Sequence, residues 1–184
     1  MRSLTITFAV IISLSFCAKA QDQSFRKAKV DFIAYETLVH QVKEHRKSRL
    51  INVDEFIEMS EKSGVIILDT RSDSMYRRKH IKGAIHLNFS DFTQQNLMKV
   101  IPTVHTKVLI YCNNNFAGDE VNFASKVVMP ALIQREIKPI TLALNIPTYI
   151  NLYGYGYRNV YELSELVMLF DKRIKYEGTA VVHE

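Results

Sequence analysis

Val65-Ile66-Ile67-Leu68-Asp69-Thr70-Arg71 and Val108-Leu109-Ile110-Tyr111-Cys112-Asn113-Asn114-Asn115 are the two stretches on which the fold turns. Each is a short apolar run that breaks abruptly into polar residues. A strand buried on both faces reads as such a run, whereas a strand with one wet face alternates apolar and polar positions. Burial on both faces marks a parallel sheet covered by helices on each side. Further short runs at 50–53, 84–87 and 160–163 supply more strands, and helical stretches are predicted over 54–62, 73–79, 91–99 and 145–153. Ahead of them Val30, Ile33, Ala34, Leu38 and Val42 recur at helical spacing, predicting an amphipathic helix over 30–46. The alternation gives an α/β fold. In such sheets ligands lie just past the strand C-termini, which singles out Asp69-Thr70-Arg71 and the segment from Cys112 to Asn115.

The whole chain fits one ordinary domain. It has 184 residues, 47% hydrophobic and 23% charged, with a mean hydropathy of -0.05. With 6 Gly, 4 Pro and 2 Cys it is neither collagen-like, low-complexity nor a disulfide framework. Residues 1–20 read as a secretory signal: Arg2 opens a charge-free apolar stretch from Leu4 to Phe16, and Ala18-Lys19-Ala20 places small residues for cleavage before Gln21. The stretch falls short of the roughly 20 residues a membrane span needs, so no stable membrane anchor is expected after cleavage. Phe16 before Cys17 argues against lipid attachment there. The expected organisation is signal peptide over 1–20, an N-terminal helical segment over 21–47 and the folded domain over 48–184. The expected location is the periplasm, or alternatively the medium outside the cell.

Cleavage removes Arg2 and Lys19 and lowers the formal charge from +5 to +3. So mild an excess speaks against nucleic-acid binding. Cleavage also removes Cys17, leaving Cys112 as a single thiol with no internal disulfide. Such a thiol is either exposed and reactive or buried and inert. Its position favours chemistry: a thiol at a strand end, entering a loop of residues that tolerate left-handed backbone, can be ringed by N–H groups that stabilise a thiolate.

In Ile67-Leu68-Asp69-Thr70-Arg71-Ser72 with Tyr76, His80-Ile81-Lys82-Gly83-Ala84-Ile85-His86-Leu87, Val108 to Cys112, and Gly156-Tyr157-Arg158-Asn159-Val160-Tyr161, the chain resembles the rhodanese-like sulfurtransferase domain family, in the family's order and over roughly residues 48 to 165. The resemblance implies a five-stranded parallel sheet flanked by helices on both faces. It aligns Cys112 with the cysteine that carries sulfur as a persulfide, taken from a small donor such as thiosulfate and given to cyanide or a thiol. No cofactor and no metal are expected. Asn113, Asn114, Asn115 and Phe116 become the expected substrate-binding residues, and the expected partners are a small sulfur donor or thiol acceptor, a protein persulfide included.

Two features depart from the family pattern. Members active on thiosulfate place arginines after the cysteine, whereas Cys112-Asn113-Asn114-Asn115-Phe116-Ala117-Gly118-Asp119-Glu120 holds no cation. Asp119 and Glu120 should raise the thiol pKa unless they point outward, and Asp119 could cap a helix whose N-terminus faces Cys112. Thiosulfate is therefore expected to be a poor donor. The second feature is an insertion over 119–144, expected to add a short helix up to Met129 and a strand through 140–144 and to form either a cover over Cys112 or an elaborated edge of the fold, before Asn145 caps the next helix.

The remaining polar residues have structural readings. Asp69 and Arg71 should form an ion pair bracing a strand end, and His80 and His86 lack a third ligand at metal spacing. The basic residues Lys43, His45, Arg46, Lys47 and Arg49 should form a solvated helix end, and Tyr153 to Tyr157 a helix terminus closed by glycines. The rival to catalysis is a binding module on the same fold with Cys112 packed away, or a redox-sensing thiol.

Overall fold

The computed structural model describes residues 26–128 and 140–181. The proposed signal peptide and the centre of the insertion lie outside the described residues. By its internal contacts the chain divides into residues 1–31 and 32–184, and the fold is that of the second unit. Its helices are α1 (Phe32–Lys47), α2 (Val53–Ser60), α3 (Asp73–Arg78), α4 (Gln94–Val100) and α5 (Asn145–Gly154). Its strands are β1 (Leu50–Ile51), β2 (Val65–Asp69), β3 (His80–Ile81), β4 (Ile85–His86), β5 (Lys107–Tyr111), β6 (Phe116–Ala117), β7 (Val127–Val128), β8 (Ile140–Thr141), β9 (Val160–Leu163), β10 (Val167–Met168) and β11 (Tyr176–Glu177). No described helix is long and apolar enough to cross a membrane.

A five-stranded parallel sheet in the order β1-β9-β5-β2-β4 forms the centre. The two runs that predicted it, β2 and β5, lie side by side in its middle. Successive side chains on a strand point to opposite faces, and β5 shows the consequence. Leu109 and Tyr111 enter one core with Val53 and Phe56 of α2, while Val108 and Ile110 enter the other with Val42 of α1, Leu97 of α4 and Tyr149 and Leu152 of α5. Both faces are thus covered by helices. Leu109→Ala should cost about 2–5 kcal/mol, because Leu109 is fully buried; urea denaturation reads the loss.

Local signals set the helix starts. Asn52 Oδ1 accepts from the Glu55 N–H at 2.9 Å while Glu55 accepts from the Asn52 N–H at 3.0 Å, a reciprocal cap for α2. Thr93 caps α4 through the Asn96 N–H at 3.1 Å. That cap moves the predicted helix of 91–99 to Gln94–Val100, with a single 3-10 turn over Phe89–Asp91 in front of it. At its other end α5 closes as the tyrosine and glycine alternation suggested: Gly156 takes φ +97° and Tyr157 is buried beneath the helix end.

The insertion differs from its prediction. In place of a helix running to Met129, the described part makes one turn at Asp119–Phe123 and then the strand β7, antiparallel to β8. The β-branched pair Val127-Val128 suits an extended backbone better than a helix. Asn145 does not cap α5 either. It is the first helical residue, and its side chain is drawn away to Glu162.

Candidate functional site

Residue register brings the two singled-out segments together. Asp69 pairs with Tyr111 at the C-terminal ends of β2 and β5, so Thr70-Arg71 and Cys112 leave the sheet side by side. Cys112 is buried, with 1% of its surface exposed. Asn113–Asn115 then make a 3-10 turn in which each side chain anchors the loop to a different element. Asn113 Oδ1 accepts from Arg71 Nη1 at 3.3 Å, and Asn114 Oδ1 accepts from the Lys126 N–H at 2.9 Å. Asn115 Oδ1 accepts from the Cys112 N–H at 2.9 Å, while its Nδ2 donates to the Leu163 carbonyl at 2.7 Å. The expected left-handed backbone is absent, since among the described residues only glycines have positive φ. The loop is held by side chains instead.

Three backbone N–H groups act on the Cys112 sulfur: those of Asn114 and Asn115 in the turn and of Asn145 at the start of α5. The positive end of a helix therefore faces the thiol, as a thiolate site requires. It is the N-terminus of α5. Asp119 takes no part in it, because its carboxylate receives Lys79 Nζ at 2.8 Å and Asn122 Nδ2 at 2.9 Å. The net effect on the thiol is still upward. Burial pushes its pKa above the ordinary range, the N–H groups of Asn114 and Asn145 pull it back, and the charge of Glu162 adds to the rise.

A small cavity of about 10 Å³ lies against Cys112, lined also by Arg71, Asn113, Asn114, Lys126, Ala143 and Leu144. It has room for about one water-sized group. Lys126, Ala143 and Leu144 come from the insertion, which therefore does cover Cys112. Lys126 reaches the mouth through its backbone N–H, which Asn114 binds, and the residue is otherwise exposed; a residue so far along the chain gives no signal in sequence. Phe116 lies elsewhere. It is 7% exposed and packs on Phe123 at 4.1 Å between ring centres, so it belongs to the core beneath the loop and not to the mouth.

Asp69 and Arg71 are the expected ion pair, with 0% and 2% of their side chains exposed. Arg71 does more than brace a strand end. Its Nε and Nη2 grip the Asp69 carboxylate, Nη2 also donates to the Lys79 carbonyl at 2.7 Å, and Nη1 donates to the Asn122 carbonyl at 3.1 Å and to Asn113. Every N–H of the guanidinium has an acceptor, and Tyr111 donates to Asp69 Oδ2, the oxygen that Arg71 Nη2 also binds, at 2.5 Å. No donor remains for an incoming anion. His80 and His86 stack on the two sides of Tyr76, at 3.9 and 4.5 Å, and are structural.

A family model for the rhodanese-like domain matches residues 52–165. The chain belongs to the rhodanese-like domain family. That match covers more than half of the 184 residues, and it leaves helix α1 outside. The chain is similar to several solved structures. The BH2092 protein of Bacillus halodurans is 17% identical, with a TM-score of 0.45 over 80% of this chain and 88% of that one. A protein from Anabaena sp. is 19% identical, with a TM-score of 0.44 over 71% and 94%, and a rhodanese from E. coli is 16% identical, with a TM-score of 0.38 over 62% and 99%. No curated protein matches the chain. Cys112 lies within the matched residues, directly after the C-terminal end of β5.

Proposed function

We propose that this rhodanese-like protein is a sulfurtransferase in which Cys112 carries sulfane sulfur as a persulfide. The observation that carries the reading is a buried thiol set between the Asn113–Asn115 turn and the start of α5, whose N–H groups at Asn114, Asn115 and Asn145 favour its anion, against a cavity of about 10 Å³. A merely packed cysteine needs neither. The Cys112 thiolate attacks the outer sulfur of the donor, the donor's S–S bond breaks, and the donor leaves as a thiolate, or as sulfite when it is thiosulfate. The acceptor thiolate then attacks the outer sulfur of the Cys112 persulfide, and Cys112 leaves as the thiolate it began as. The same N–H groups stabilise the negative charge of both forms. No cofactor or metal is called for. In this reading the chain acts outside the cytoplasm on a small sulfur donor or a protein persulfide, without nucleic acid or a lasting membrane anchor.

The guanidinium of Arg71 is fully engaged, and the charge of Glu162 reaches the sulfur. Thiosulfate should therefore load Cys112 at least about tenfold more slowly than a neutral alkyl persulfide. Peptide mass spectrometry after exposure to each donor tests both claims. A one-sulfur gain on the Cys112 peptide, lost in Cys112→Ser, supports the reading; no gain from either donor overturns it in favour of a binding module.

A further inference from the structure

At the basic end of α1 Lys43 and Lys47 are solvated as the sequence suggested, but Arg46 is not. Arg46 grips the Glu162 carboxylate with two N–H groups, Nε to Oε2 and Nη2 to Oε1, each at 2.5 Å. The Glu162 side chain is 2% exposed. Asn145 Nδ2 donates to the same Oε1, so one carboxylate ties α1 to the first residue of α5. That residue's backbone N–H is one of the three on the Cys112 sulfur, and Glu162 is the carboxylate whose charge reaches it. Arg46, Glu162, Asn145, Asn114 and Asn115 line one 400 Å³ cleft behind the active loop.

We propose that Arg46 is a positioning residue of the Cys112 site, setting through Glu162 and Asn145 the charge and the helix end that face the sulfur. Glu162 disfavours the thiolate even in its pair with Arg46; without that partner its repulsion grows, and the strut it makes to the start of α5 is freed. The other charged or titratable groups facing these residues are His45 of α1, Arg49 just after it, Tyr149 of α5, Tyr161 of β9, and Arg71 and Lys126 among the residues lining the mouth. Tyr149 donates or accepts only through its hydroxyl, to His45 Nδ1 at 2.9 Å, and Arg71 is paired with Asp69. None of them neutralises Glu162. Arg46 lies outside the residues that the family model matches, so this strut is supplied by the chain's own N-terminal helix.

The inference rests on Cys112 being the nucleophile, and its test reads the thiol directly, so it stands apart from the test of sulfur transfer. The full chain is labelled with iodoacetamide from pH 6.5 to 10.5 and the rate is read on the Cys112 peptide. Arg46→Gln should slow labelling at pH 7 about tenfold and move the profile up by about one pH unit. Glu162→Gln should move it down, the double variant should follow Glu162→Gln, and Arg46→Lys should keep the wild-type profile. If Arg46 were only a packing strut, Arg46→Gln would loosen the site and label faster, and the double variant would be no better than the single. Either of those results, or an unchanged profile in Arg46→Gln, overturns the proposal. Should Arg46→Gln fail to fold, as its circular dichroism would show, Arg46→Lys and Glu162→Gln decide it alone.

Discussion

Arg71→Met should destabilise the protein by about 3–5 kcal/mol, measured by urea denaturation against the wild type. The substitution leaves the Asp69 carboxylate buried with only the Tyr111 hydroxyl and the Arg71 N–H to satisfy it. It also strands the carbonyls of Lys79 and Asn122, which now accept from the guanidinium, and it removes the ring stacking of Arg71 on Phe123 at 4.7 Å. Removing Asp69 at the same time would not restore stability, because those two carbonyls stay unpaired and Tyr111 loses its acceptor. That distinguishes this pair from a simple buried salt bridge, which an apolar pair can often replace. The same change frees Asn113 from its anchor, so Cys112 should label faster in Arg71→Met than in the wild type. A loss below about 1 kcal/mol would show that Arg71 is no keystone.

What the sequence made legible follows from periodicity and from strand ends. Val65 to Leu68 and Val108 to Tyr111 could be read as the centre of a parallel sheet because burial on both faces writes itself into every residue of such a strand. From there the crossing of Thr70-Arg71 with Cys112 was a matter of topology. Partnerships between distant residues leave no such trace. Arg46 looked like one of several bases closing a helix, and Glu162 sat inside a strand, Val160–Leu163, that otherwise reads as apolar. A charge inside an apolar strand was the one available sign, since it must find a partner when buried. Nothing in the sequence could say that the partner was Arg46, or that Asn145 would leave its capping role to join them. Lys126 was hidden for the same reason: its place at the mouth depends on how the insertion folds back. The asparagine side chains bind the scaffold, and only the backbone N–H groups of Asn114 and Asn115 in this loop serve the sulfur.

The labelling rate of wild-type Cys112 should climb about tenfold per pH unit from pH 7 to beyond pH 9, an overall change of about a hundredfold. The sign follows from burial. A thiol shut away from water favours its neutral form, and the folded protein holds Cys112 above the ordinary thiol range despite three N–H groups that favour the anion. While the pH stays below the folded pKa, each unit multiplies the thiolate fraction by about ten. The unfolded chain, whose thiol titrates in the ordinary range, should reach its plateau at lower pH, so the profile measured with iodoacetamide without urea should lie below the one measured with urea over that interval and be displaced to higher pH. A folded profile that levels off below pH 8 would mean that the N-terminus of α5 and the turn outweigh burial. Sulfur loading should follow the same curve, because the thiolate is the attacking species in both reactions. A loading rate that is flat across this range would place the slow step elsewhere, in the opening of the insertion residues Lys126, Ala143 and Leu144 over the 10 Å³ cavity. The shape of that one curve therefore separates a site limited by its thiol from a site limited by its cover.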